Sequence, residues 1–273
     1  MEAGLQRRVQ RYGWDKAAEY YEGFWSEQLK PAQARLLELA ALKPGERVLD
    51  IACGTGLVTF PAADAVGPSG EVVGTDISQG MIDLVRKLAD ERGVSNVSFD
   101  RMDAEQLGSL ADSSFDAVLT ALGLMYVPDV LRALQEQRRV LRAGGRAVAA
   151  VWGQRDRCGW AEIFPIVESR ISSEVCPMFF QMGTKDALAQ TMSMAGFVDV
   201  TLERIPSVLH YGSAADAIGA AFVGGPVALA YSRMDAATRE SAHEEYLASI
   251  EQFRDGLAYN VEGEYVVAIG WKR

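Results

Sequence analysis

Three carboxylates stand where short apolar runs give way to turns, and they set the chemistry open to this chain. Asp50 lies within Val48-Leu49-Asp50-Ile51, just ahead of Ala52-Cys53-Gly54-Thr55-Gly56. Asp76 follows Glu71–Thr75, 22 residues after Gly54, and Asp103-Ala104 follows Val97–Arg101. Two glycines one residue apart let a backbone pass close to a ligand. A fixed negative charge at Asp50 would repel a pyrophosphate and favour a cationic or donor-rich ligand. A dinucleotide fingerprint also wants Gly or Ala three residues after the second glycine, where this chain has Thr59. Asp76 is placed to accept both hydroxyls of a ribose, and Asp103 to accept an exocyclic adenine amine. Local roles compete at each position. Asp50 could accept turn amides, Asp76 or Ser78 could cap a helix starting near Gln79, and Asp103 could be a turn or cap residue.

The elements that must hold these residues alternate. Residues 14–42 read as helical, with Leu29, Leu36, Leu37, Leu39 and Leu42 as an apolar stripe and Pro31 able to open a helix. Strands are expected at Arg47–Ile51, Glu71–Thr75, Val97–Arg101, Phe115–Thr120 and Arg146–Trp152, with helices at Leu57–Val66, Gln79–Arg92 and Val130–Leu141 between them. This order means parallel βαβ units. In such sheets ligands sit at the carboxyl ends of the strands, near the switch in strand order. Beyond Trp152 the pattern loosens. Helices are expected at Trp160–Ile171, Thr184–Gly196, Ser213–Phe222 and Ala236–Arg254, and strands at Val198–Arg204 and Glu264–Trp271. The last strand should rejoin the main sheet, which argues for one domain over 1–273. Within it, 1–42 forms a helical N-terminal lid, 43–152 a ligand-binding core, and 153–273 late sheet elements with a helical insertion.

Bulk properties exclude several classes. The chain has 273 residues, 49 % of them apolar, and a formal charge of −10. That balance disfavours a nucleic-acid binder, which needs a Lys and Arg surplus. Cys53, Cys158 and Cys176 are too few and too scattered for a disulfide framework, and no metal-ligand spacing is present. No secretory leader or membrane span is apparent, so a cytoplasmic location is expected.

The segments VLDIACGTG, VVGTDIS, MDAEQL, FDAVLTALGLMYVPD and LRAGGR, in this order and spacing, resemble the class I S-adenosylmethionine-dependent methyltransferases. The resemblance covers roughly residues 14–152. Within that superfamily it is nearest the branch of the ubiquinone/menaquinone biosynthesis C-methyltransferases. It implies an α/β, Rossmann-like, doubly wound seven-stranded sheet, mostly parallel with an antiparallel last strand. It implies S-adenosylmethionine as the cofactor. Asp50 and the backbone of Ala52, Gly54, Thr55 and Gly56 would hold its methionine part and Asp76 its ribose. Ile77 and Met81 would flank the adenine, Asp103 and Ala104 would reach its edge, and Ala121 and Leu122 complete the set. Ala18-Glu19-Tyr20-Tyr21-Glu22 matches a family segment whose tyrosine closes over the cofactor, which maps onto Tyr21 with Tyr20 and Trp25 beside it.

Such a donor carries a sulfonium and no phosphate, so aromatic faces nearby can attract it. Methyl transfer from a sulfonium is an in-line displacement in which positioning and water exclusion do most of the work. Tyr126 is the candidate catalytic residue. His210 reads as an edge histidine and His243 as solvated. Trp152, Trp160, Phe164, Met178, Phe179, Phe180 and Met182 suggest a small hydrophobic or aromatic methyl acceptor, with core packing or a homodimer surface as the competing reading. An NAD-dependent oxidoreductase and a non-catalytic S-adenosylmethionine-binding protein are the rival functions.

Overall fold

The computed structural model describes residues 3–171 and 179–273. Cys176 and Met178 lie outside the described residues. The chain begins with one long helix, α1 (Ala3–Ala40), and continues β1 (Arg47–Ile51), α2 (Thr59–Val66), β2 (Glu71–Asp76), α3 (Gln79–Arg92), β3 (Val97–Arg101) and β4 (Phe115–Ala121). Next come α4 (Val130–Val140), β5 (Leu141–Trp152), α5 (Ile163–Glu168), α6 (Ala187–Met194) and β6 (Val198–Tyr211). The short helices α7 (Ala214–Ile218) and α8 (Ala228–Ser232) lead to α9 (Ala236–Ile250), β7 (Arg254–Asp255) and β8 (Ala258–Trp271).

Seven strands form the sheet in the order β3-β2-β1-β4-β5-β8-β6, and the two-residue β7 folds back on β8 as an eighth. Strands β1 to β5 pair in parallel, and β8 runs antiparallel between β5 and β6. The last strand of the chain therefore rejoins the main sheet, as the sequence indicates. Chain order reverses between β1 and β4, so the switch-point crevice opens at their carboxyl ends. Valine and alanine dominate the central strands, which are buried on both faces.

The helix α1 is longer than its leucine stripe suggests and runs through Pro31 rather than starting there. Pro31 has no N–H for the Glu27 carbonyl, a loss the sequence reads as a helix boundary. Tertiary burial outweighs it. Leu29, Ala32, Leu36 and Ala40 are sealed in the core, each large side chain contributing about 1.5–3 kcal/mol. The Tyr265 hydroxyl on β8 donates to the Gln28 carbonyl at 2.7 Å, fastening the proline-bearing turn to the sheet.

Other differences lie late in the chain. The helix expected over Trp160–Ile171 is confined to Ile163–Glu168, because Trp160 and Ala161 stay in the turn that follows Cys158-Gly159. Both late strands are longer than expected because β6 and β8 pair from Val198–Trp271 out to Tyr211–Tyr259. The helix expected to end at Arg254 stops at Ile250, and Gly256-Leu257, with Gly256 at φ 63°, makes the two-residue turn between β7 and β8. Ser213–Phe222 divides into α7 and a π-turn over Gly219–Val223.

Candidate functional site

At the switch point, two backbone corners meet. Ala52 after β1 and Leu122 after β4 both adopt left-handed conformations, with φ of 57° and 56°, which non-glycine residues hold only when their surroundings impose it. A Cβ on Gly123 would lie 2.5 Å from the Ala52 Cβ, so the approach of these corners requires glycine there. Gly56, at φ 88°, is equally constrained, since a Cβ would stand 2.5 Å from the Phe60 ring. The glycine turn is thus a packed corner, with α2 pressed against its back.

Asp76 sits at the tip of β2. One carboxylate oxygen accepts the Gly54 N–H at 3.0 Å and the other the Ser78 N–H at 2.9 Å. Ser78 caps α3 by accepting the Met81 N–H, so the cap role falls to Ser78, and Asp76 stays in the cavity wall. Burial raises the Asp76 pKa to about 6, against the lowering effect of those amides. Asp50 is placed otherwise than its sequence position suggests. It is 1 % exposed and accepts the Thr59 hydroxyl at 2.6 Å. Its charge therefore faces α2 and is kept out of the mouth of the loop, and burial raises its pKa to about 7. Thr59, where a dinucleotide site would have a small residue, is the partner of Asp50.

Asp103 combines both of its expected local and ligand-facing placements. One oxygen accepts the Glu105 N–H in a turn, and the other pairs with Arg7 at 3.0 Å while the residue lines the cavity. Arg7 also pairs with the fully buried Glu105, whose other oxygen accepts the Asp129 N–H. The first turns of α1 are thereby anchored over the ends of β3 and β4.

One cavity, partly open to solvent, joins these groups. Of the residues singled out from sequence, Tyr21, Trp25, Ala52, Gly54, Asp76, Ile77, Met81, Asp103, Ala104, Ala121, Leu122 and Tyr126 line it. Asp50, Thr55 and Gly56 lie behind its wall. The Tyr21 hydroxyl, buried and near the Asp76 charge, has its pKa pushed up and stays protonated. Tyr20 is half exposed and outside the cavity.

Sequence reading missed Arg7, Gln10 and Trp14, which line the cavity from α1 together with Tyr21, Trp25 and Leu29. The spacing of 7, 10, 14, 21 and 25 puts them on one helical face, a signal present in the sequence but hidden among charged neighbours. Among the described residues lining the cavity, Arg7 is the one basic side chain, and it is committed to Asp103 and Glu105. A phosphate would find no cationic partner there, whereas a phosphate-free nucleoside carrying positive charge suits the carboxylate-and-backbone donor set.

The far end of the cavity is aromatic. Trp25, Trp152, Trp160, Phe179 and Tyr126 line it. Trp14 meets Tyr126 edge-on at 5.2 Å and Phe179 meets it at 5.4 Å. Phe164 and Phe180 pack against Phe179 and Trp160, so of the expected acceptor-side aromatics some form the wall and others support it. His210 lies at the sheet edge against Asn260, away from the cavity. His243 is half-buried rather than solvated, with its ring nitrogen 3.0 Å from the Tyr231 hydroxyl and its ring against Phe222.

Comparison with known proteins bears on this arrangement. A family model described as a methyltransferase domain matches residues 42–169. Aklanonic acid methyltransferase DauC of Streptomyces sp. (strain C5) is 42 % identical over 132 residues, covering 48 % of this chain and 60 % of that protein. The ubiquinone/menaquinone biosynthesis C-methyltransferase UbiE of Ectopseudomonas mendocina is 36 % identical over 183 residues, covering 62 % of this chain and 70 % of the relative. The chain belongs to this methyltransferase family. The Haemonchus contortus phospholethanolamine N-methyltransferase 2, solved with phosphomonomethylethanolamine and S-adenosylhomocysteine, superposes with a TM-score of 0.64 over 99 % of this chain and 60 % of its own, at 16 % identity. The family match is concentrated in the β1–β5 half. The chain spans 60 % of the length of the aklanonic acid enzyme, and of the aromatic wall Tyr126, Trp152 and Trp160 fall inside the family match while Trp25 and Phe179 fall outside it.

Proposed function

We propose that the chain transfers a methyl group from S-adenosylmethionine to a small aromatic or otherwise hydrophobic acceptor. One observation carries this reading: a single cavity has a carboxylate-and-glycine end and an aromatic end with no partition between them. The backbone of Ala52 and Gly54 would hold the methionine part, Asp76 the ribose, and Ile77, Met81, Asp103 and Ala104 the adenine. Asp50, Thr55 and Gly56 support that loop from behind. When bound, the sulfonium supplies an already activated methyl group. The chain's own task is then to orient the acceptor in line and keep water out. Tyr21, Trp14 and Tyr126 offer aromatic faces at the junction of the two ends, where a cation is stabilised.

On this reading 1–273 is one methyltransferase domain, with α1 as the lid, 43–152 as the cofactor core and the remainder as the acceptor side. Tyr126 stands where acceptor and donor meet and is the residue proposed to take part in the reaction. The relatives are named for aklanonic acid, nocamycin and demethylmenaquinone, which supports a small-molecule acceptor. Among the described residues no helix is long and apolar enough to cross a membrane. Cys53 and Cys158 are buried free thiols, which supports a reducing, cytoplasmic setting.

Calorimetric titration tests the cofactor half. S-adenosylhomocysteine should bind and NAD should not; the reverse would overturn the proposal in favour of a dehydrogenase. Tritium transfer from labelled S-adenosylmethionine to a panel of hydroxylated naphthalenes and anthraquinones tests turnover. Binding without transfer to any panel member would support a non-catalytic binding protein. In an active assay Tyr126→Phe should lower kcat about a hundredfold, the lower end of the range for a proton-transfer group, and unchanged kcat would remove Tyr126 from the chemistry.

A further inference from the structure

The roof helix α1 crosses the strand ends in turn. Arg7 pairs with Asp103 after β3. The Asp15 carboxylate accepts the Ser78 hydroxyl at 2.6 Å and the Gly80 N–H at 3.0 Å, at the start of α3. The Tyr21 ring lies 4.0 Å from where a Cβ on Gly54 would stand, after β1. Gln10 falls between the first two of these anchors, on the inward face with Arg7 and Trp14. At a helical rise of about 1.5 Å per residue it stands roughly 4.5 Å along the axis from Arg7. That places it above the part of the cavity lined by Ile77, Met81, Asp103 and Ala104. The charged side chains around it are committed. One Asp103 oxygen accepts the Glu105 N–H and the other pairs with Arg7. Arg7 also pairs with Glu105, and Asp76 holds the Gly54 and Ser78 amides. Gln10 differs from them. It is 7 % exposed, and among the described residues its side-chain amide meets no hydrogen-bond partner. The amide atoms are not sealed by their neighbours, so they face the cavity that Gln10 lines. An amide withdrawn from bulk water costs stability unless a partner meets it, and an apolar side chain would roof the cavity without that cost. The cavity contents are the remaining partner.

We infer that Gln10 is a specificity residue carried by the lid, its side-chain amide reading the purine base of the methyl donor. This rests on the methyltransferase reading of the same cavity. A glutamine amide offers one acceptor and one donor side by side, the complement of the exocyclic N–H and the adjacent ring nitrogen N7 of adenine. On that reading Asp103 and Ala104 meet the base from the strand ends, and Gln10 meets it from the roof. With both Asp103 oxygens already engaged, the uncommitted amide supplies the additional polar contact a base needs there. Desolvated polar groups discriminate strongly against a ligand of equal shape that lacks their partner atom. Gln10 also joins donor recognition to closure of the roof, because it sits on the stretch of α1 that Arg7 and Asp15 fasten down.

The test compares two probes of matched shape by calorimetric titration into the full chain: S-adenosylhomocysteine and its 7-deaza analogue, in which N7 is replaced by C–H and the exocyclic amine is kept. The wild type should bind the parent compound about tenfold tighter than the analogue. Gln10→Met keeps the length of the side chain and removes the amide, and it should bring the ratio near unity. Gln10→Glu keeps the shape and the acceptor but lacks the donor that N7 requires, so it should lose the ratio too and serves should the methionine variant fold poorly. A loosened helix weakens both probes together, so the ratio isolates the amide. A wild type that binds both probes equally, or a ratio unchanged in either variant, would overturn the inference while leaving the methyl donor in place. Absence of any S-adenosylhomocysteine binding to the wild type would reject the donor itself and Gln10's role with it.

Discussion

The two ends of the cavity are built from different materials. The strand-end wall is mostly backbone and short side chains: Ala52, Gly54, Leu122 and Gly123 at two left-handed corners, with Asp76 bridging two amides. The aromatic wall is made of side chains delivered by α1, the end of β5, the turn before α5 and the segment before α6. The first can be held in place by neighbouring strands and their ladder. The second depends on elements distant in sequence meeting correctly. A wall of backbone suits a ligand that does not change, and a wall of side chains suits one that differs between relatives. The contrast supports the proposal that the strand-end wall holds the methyl donor and the aromatic wall the acceptor.

Substitutions that separate the two ends sharpen this contrast. Gly56→Val should have the largest effect. It places a branched side chain on a positive-φ corner against Phe60 and Val85, and strain plus overpacking should cost about 4 kcal/mol in a denaturation series. S-adenosylhomocysteine binding should be lost with it, and retained binding at wild-type stability would show that the corner is not rigid.

Asp50→Asn comes next. The folded-state pKa of Asp50 is raised to about 7 by burial, above the unfolded carboxylate value. The folded chain therefore holds a proton that the unfolded chain has lost, and Asp50 destabilises the fold progressively as pH rises from about 4 to 7. Thermal melts should show Asp50→Asn gaining on the wild type between pH 5 and 8, by on the order of 2–3 kcal/mol. Parallel melting curves would mean that Asp50 remains charged and solvated.

Asp76→Ala should weaken S-adenosylhomocysteine by about 1–3 kcal/mol, the value of a charge-assisted hydrogen bond, with the affinity for an aromatic acceptor unchanged. Calorimetry showing no loss would reduce Asp76 to a support for Gly54 and Ser78. The smallest effect should come from the other wall. Phe179→Leu removes a ring that touches Tyr126 and Trp160. It should raise the acceptor KM by a factor corresponding to about 1 kcal/mol and leave cofactor affinity as it was. Equal losses of both ligands would erase the division between the ends.

The legibility of the chain follows the same division. The strand ends Asp76 and Asp103 are found from local pattern because they follow expected strands by one and two residues, where the parallel sheet must end. Arg7, Gln10 and Trp14 are not found this way. Their helix is polar over its first turns, and only the cavity beneath shows which face is inward. The late strands extend beyond the expected ones through Pro206, Ser207 and His210 on β6 and Asn260, Glu262 and Gly263 on β8, which dilute the apolar signal there. Glu264 is paired with Arg204 across the sheet.

By itself the sequence determined the alternation of strands and helices, the parallel sheet, and the carboxylates and glycines at its carboxyl edge. These depend on spacings of a few residues, within reach of local sterics and periodicity. The tertiary structure alone decided three further points. Asp50 turns to Thr59 and away from the cavity. The helix α1 runs through Pro31 to roof the site. Trp25 and Trp160, 135 positions apart, meet edge-on in the aromatic wall. Each depends on which distant surface a side chain meets, and chain spacing carries no record of that.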